Sequence, residues 1–317
     1  MTEDRLGTQA RKLILDPLGE VAIRDMLSSL IGPGKKAQLL AERLHSETEG
    51  NPAFVSQFLA SLIQQGVLVS EGKRMHLAAD ANEIATGHLK IPPGVRQLVR
   101  SRLEHLGSEE LQVLQVLAVN GRRLDLDCSL DVLDKDEDEV LDSIDTLIER
   151  GLVSESRNHH IVHHDIRHRL LKDLVYRDLE PEVRAELHYG LGRALEQRYG
   201  DGQGAVDQVG EHYRLAGESG KAYVYLVSAA KGLWLRGLSG QAWEISSRAM
   251  AIEDLSRVDL DPSRLKEAKL KLLQVRADVV YTRGEWAEAQ KLVEACRELA
   301  RELGDQRALA DSLRDLG

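Results

Sequence analysis

Apolar positions recur at helical spacing through most of the chain, and short breaks of glycine, proline or clustered polar residues separate the runs. The clearest boundary lies at Gly50-Asn51-Pro52, where a polar stretch ends and Phe54, Phe58, Ser61 and Leu62 follow at once. Asn51 can cap a helix there, and Pro52 suits its first turn, where a missing N–H costs nothing. The pattern predicts helices near 19–30, 35–48 and 51–65, with Gly32-Pro33-Gly34 parting the first two. A short strand is expected at 11–15. Val67-Leu68-Val69 and Met75-His76-Leu77 flank Glu71-Gly72-Lys73 as a hairpin, and 80–90 forms a connector.

A second unit opens at Ile91-Pro92-Pro93-Gly94. Helices are predicted near 94–106, 108–119, 127–133 and 136–150. Two short strands follow at Leu152-Val153-Ser154 and Ile161-Val162, then an amphipathic helix near 164–178. Three helices followed by a small hairpin is the order of a winged helix. From about 181 the pattern is helical to the end and repeats at an offset of 47: Gly237 aligns with Gly284, Ala242 with Ala289 and Ala249 with Cys296. Gly-x-x-x-x-Ala with a small residue seven positions later resembles the second half of a tetratricopeptide repeat. Val209–Ala216 reads as an earlier, degenerate copy, and Leu255–Ser263 as a longer loop. The array stops inside what looks like another first helix, at Leu313–Gly317, so the chain is expected to be part of a longer polypeptide.

The fold class is thus mainly α: a helical arm, a winged helix and an α-solenoid of tetratricopeptide-like helix pairs. The expected divisions are 1–90, 91–180 and 181–317. Composition narrows the function. A net charge of −10 argues against broad, nonspecific nucleic-acid binding. The helix that would enter a DNA groove carries Asp136, Glu137, Asp138, Glu139, Asp142, Asp145 and Glu149, so a protein-packing role is expected of it. Cys128 and Cys296 match no metal spacing and read as reduced thiols. No apolar run reaches membrane-spanning length, and the first residues lack the regions of a signal peptide, so a cytoplasmic protein is expected.

Two segments resemble the signalling ATPases of the STAND class, relatives of the AAA ATPases. Gly50-Asn51-Pro52 resembles the Gly-x-Pro segment of their helical arm, with Leu15-Asp16-Pro17-Leu18 upstream. Val162-His163-His164-Asp165-Ile166-Arg167 resembles their Met-His-Asp motif, with His163 where methionine often stands. The resemblance implies that Pro52 touches the adenine of a bound nucleotide and that His164 contacts the β-phosphate of ADP, with Gly50 and Asn51 shaping the site. The implied cofactor is ADP or ATP, held mainly by a P-loop domain outside this sequence. Gly32-Pro33-Gly34-Lys35-Lys36 fails as such a loop, because Ser29 and Lys36 occupy the first-glycine and hydroxyl positions. No catalytic residue and no metal ligand is assigned.

The resemblance implies a regulatory portion of a nucleotide switch, of the sort joined to LuxR-like regulators, cyclases or kinases. A protein or small effector would bind the repeat array, and exchange to ATP would favour an open, oligomerising state. Two alternatives stand beside it. One is a protein-binding scaffold with no nucleotide role. The weaker one is a metal-dependent hydrolase built on His159, His160, His163, His164 and His168, since His164 and His168 would share a helical face at i and i+4.

Overall fold

A computed structural model describes residues 15–72, 74–78, 91–121, 124–158, 161–199, 205–252 and 261–310. The expected strand at 11–15 falls almost wholly outside them. So do the connector at 80–90, His159, His160, most of the 255–263 loop and the last residues, 313–317. The chain is mainly α-helical.

The first unit consists of α1 (Glu20–Ile31), α2 (Lys35–Thr48), α3 (Pro52–Gln64) and a hairpin of β1 (Leu68–Glu71) and β2 (Arg74–Leu77). Ile23 and Leu27 of α1 are buried, with Leu40, Ala41 and Leu44 of α2 and Phe54, Phe58 and Leu62 of α3. These are the apolar positions that the helical spacing selects.

The second unit runs α4 (Pro93–Leu103), α5 (Ser108–Asn120), β3 (Leu124–Asp125), α6 (Leu126–Leu133), α7 (Glu137–Glu149), β4 (Val153–Asn158), β5 (Ile161–Ile166) and α8 (Arg169–Asp178). The three strands form an antiparallel sheet in the order β3-β5-β4, the element order and sheet order of a winged helix. α5 is its centre, with Val113, Leu114, Val116, Leu117, Ala118 and Val119 buried around most of its circumference.

One boundary is corrected. Residues 164–166 belong to strand β5, and the helix expected from 164 begins at Arg169. Ile166, Leu170 and Leu174 do satisfy a helical period. The competing alternation of Val162, His164 and Ile166 prevails because β4 pairs with β5 as far as Val153↔Ile166, and β3 pairs with His163 and His164 from the other side.

The rest is α9 (Pro181–Tyr199), α10 (Val206–Leu215), α11 (Ser219–Leu235), α12 (Ser239–Met250), α13 (Pro262–Thr282) and α14 (Trp286–Leu303). α9 to α12 pack each on the next, as do α13 and α14, and α13 also lies against α11 and α12. The turns are copies of one another. Gly217, Gly237 and Gly284 have φ of 86°, 78° and 78°. Each following N–H reaches back five residues: Glu218 to the Tyr213 carbonyl, Leu238 to Leu233 and Glu285 to Val280. This is the glycine-dependent closure of a helix C-terminus. Gly66 and Gly151 close helices outside the array in the same way, so the turn marks a helix end; Ala242 and Ala289 are both buried. Replacing Ala289 by leucine should overpack α14 against its neighbours. An expected loss of about 1–3 kcal/mol would register as a lower denaturant midpoint.

A single apolar cluster runs from Ile23 to Ala222, through all of α1–α10 and into α11, while the remaining array helices are held by three smaller clusters. Among the described residues no helix is long and apolar enough to cross a membrane.

Candidate functional site

The elbow between α2 and α3 is built by four residues with different tasks. Glu49 ends α2 in the left-handed region, with φ of 50°. Gly50 continues there at φ of 75°, and its carbonyl accepts a 2.8 Å hydrogen bond from the Leu18 N–H. Asn51 leaves that region, and its side-chain oxygen accepts from the N–H groups of Ala53 at 3.1 Å and Phe54 at 3.4 Å. Pro52 has no N–H, and that of Val55 already bonds the Asn51 carbonyl. The start of α3 therefore has no spare first-turn amide for a phosphate. What it offers to a ligand is the exposed ring of Pro52.

The elbow sits against the start of α8, more than a hundred residues away in sequence. The Arg169 N–H donates to the Glu49 carboxylate at 3.3 Å, so a residue of the first unit caps a helix of the second. His168 lies beside them. Its Nε2 is 3.4 Å from the Asn51 amide nitrogen and accepts that N–H, which leaves the ring proton on Nδ1, facing the Glu49 carboxylate at 3.5 Å. Phe54 packs edge-on against the ring, centroids 5.8 Å apart. Burial pulls the His168 proton affinity down, and the Glu49 carboxylate partly restores it.

The four residues expected to bind nucleotide are thus placed as follows. Gly50 is buried, Asn51 half-buried and Pro52 exposed, all on the elbow. His164 is on β5, 3% exposed, opposite Leu124 of β3 and Glu155 of β4. Burial lowers its proton affinity, against the pull of Glu155 and of Asp145 from α7. Its Nδ1 is buried without a hydrogen-bond partner. The structure brings Asn51 to His168, which lies outside the motif, and not to His164. The next residue after the motif histidine, Asp165, instead pairs with Lys172 at 3.2 Å.

The helical zinc arrangement does not form. His164 is in a strand and His168 is the N-cap of α8, so the two do not share a helix face. Among the described residues no group of three His, Cys, Asp or Glu is placed to hold a metal ion.

A cavity of about 570 Å³ opens where the winged unit meets α9–α12. Glu49, Asp165 and Lys172 line one side, and His188, His212 and Arg248 the other. None of Gly50, Asn51, Pro52 and His164 reaches it. Sequence reasoning missed Glu49 and the roles of His168, His188 and His212. A weak signal existed for His188 alone, a histidine on the inward side of α9 four residues before the buried Gly192. No family model matches the chain, and no curated protein matches it.

Proposed function

We propose that this chain is the arm, winged helix and sensor array of a nucleotide-operated signalling switch of the STAND type, working with a phosphate-binding domain whose motif its own sequence lacks. The observation that carries the reading is the latch of Glu49 and Asn51 onto His168 and Arg169. It ties the elbow that carries the Gly-x-Pro-like segment to the residues directly after the Met-His-Asp-like segment. The exposed Pro52 ring fits a contact with a nucleobase, and the satisfied amides around it fit a site where phosphates are held elsewhere. ADP bound between this elbow and the phosphate-binding domain would stabilise the latched state. An effector on the array would favour the released one, which requires different contacts in the two states. Exposed acids along α7, including Glu137, Asp138 and Glu139, support protein packing rather than DNA contact for that helix.

The test is nucleotide retention. The chain alone should bind ADP or ATP more weakly than about 1 mM and should not hydrolyse ATP. Joined to a phosphate-binding domain, it should retain ADP. Pro52→Ala, or His164→Gln, which is close to histidine in volume, should then speed ADP release by about tenfold, the loss of one contact worth about 1.4 kcal/mol. Tight binding or turnover by the chain alone, or unchanged release in both variants, would overturn the reading.

A further inference from the structure

Three side chains from three successive helices form a hydrogen-bonded chain beside the cavity. The Tyr176 hydroxyl of α8 lies 3.0 Å from His188 Nε2 in α9, and His188 Nδ1 lies 2.9 Å from His212 Nδ1 in α10. Both histidines are buried, at 2% and 5% exposed. Two Nδ1 atoms at this distance share a single proton, because one must donate and the other accept. If the tyrosine donates to His188, then His188 donates to His212; if it accepts, the direction reverses. Either arrangement uses two neutral rings. Protonating both would set N–H against N–H.

The surroundings offer little compensation for added charge. Arg184 of α9 lies over the Tyr176 ring at 5.3 Å. On α10, Arg214 opposes a proton on His188, and Glu211, which favours one, is already held by Arg214 at 2.7 Å. Glu49 of the elbow, Asp165 of β5, Arg169, Lys172 and Asp173 of α8, Asp207 of α10 and Arg248 of α12 face the same cavity, and Asp165 is already paired with Lys172. Burial, the largest effect, and Arg184 lower the His188 pKa to about 4.

We propose that the Tyr176–His188–His212 chain is a proton-operated release between the winged unit and the helical array, closed while both rings are neutral and opened as the pair takes up protons. This does not depend on the nucleotide reading. The direction follows from linkage. A histidine whose proton affinity falls on folding stabilises the packed state above the unfolded value of 6.5. That contribution is lost as pH drops from there towards about 4. One proton gives at most about a tenfold change in the opening equilibrium per pH unit.

Hydrogen exchange on the full chain reads this directly. Between pH 6.5 and 4.5, protection factors of amides in 169–178, 184–192 and 206–215 should fall by up to about 100-fold, while those in 35–48 keep theirs. The double variant His188→Gln with His212→Asn keeps hydrogen-bonding groups at the Nε2 and Nδ1 positions but has no titrating ring, and it should lose this dependence. Equal acid sensitivity in variant and wild type would overturn the proposal. Nuclear magnetic resonance of the wild-type imidazoles gives a measurement that needs no variant. The His188 signals should titrate well below the ordinary imidazole range and move together with those of His212. Titration of His188 in the ordinary range, independent of His212, would equally overturn it.

Discussion

Gly50→Ala should cost about 3 kcal/mol or more of folding free energy, the sum of backbone strain and overpacking. Its φ of 75° lies where an L side chain is strained. A Cβ built there would also stand 2.1 Å from the Leu18 carbonyl oxygen and 3.0 Å from its carbon and nitrogen. Those are backbone atoms, and Leu18 is held in place by its own hydrogen bond to the Gly50 carbonyl. Relief would require parting the segment before α1 from the elbow, and with it the placement of Glu49 and Asn51 against His168. Gly66→Ala separates the two terms. Gly66 has φ of 70° but nothing within 4 Å of an added Cβ, so strain alone should cost about 1 kcal/mol there. Urea unfolding of both variants checks the comparison. Equal losses would mean that the Leu18 contact relaxes freely.

The second large effect is expected at Tyr213, which is fully buried between α9 and α11. Its ring lies so close to Gly192 that a Cβ there would be 3.2 Å from a ring carbon, and Lys221 Nζ sits over it at 4.6 Å. The hydroxyl donates to Glu196, which also accepts from Tyr225 at 2.6 Å and Lys221 at 3.1 Å. Burial and the neighbouring carboxylate hold the Tyr213 proton far more tightly than in an ordinary phenol, so the donor persists at any working pH. Tyr213→Ala should destabilise by about 3–5 kcal/mol through the cavity it leaves. Tyr213→Phe removes only the bond to a charged acceptor and should cost about 1–2 kcal/mol. Combined with Glu196→Gln, the phenylalanine variant should cost less than the sum of the two single changes. Equal losses for alanine and phenylalanine, or strict additivity with Glu196→Gln, would count against this account of the network.

Much of the fold was legible because it rests on local pattern. The ends of α2 and α3 followed from Gly34, Asn51 and Pro52. The helix ends at Gly237 and Gly284 followed from glycine at the close of an apolar run, and both turns have the same φ and hydrogen bonding. Where pattern alone was ambiguous it failed. Ile166, Leu170 and Leu174 fit a helix as well as Val162, His164 and Ile166 fit a strand, and only pairing with Val153 and Leu124 decides between them. The elbow was readable as a helix start, yet nothing near Asn51 in sequence points to His168. Glu49 looked like one of several solvated acids until it met the bare N–H of Arg169. The histidine chain was illegible for the same reason: its members come from three helices and become partners only through packing.

The unequal division of the apolar core has a further consequence. The winged unit and everything before it share one cluster with α9 and α10, so parting them exposes more apolar surface than freeing the outer helices does. α12, α13 and α14 are attached through separate small clusters, each centred on no more than six buried side chains. Thermal fluctuation will therefore loosen α12–α14 at a free energy below that needed to open the large cluster. A partner gripping α13 and α14 would pull on loosely attached helices, whereas one gripping α9 or α10 would pull on the core shared with the winged unit. On the proposed switch, leverage over the latch would come from the near half of the array.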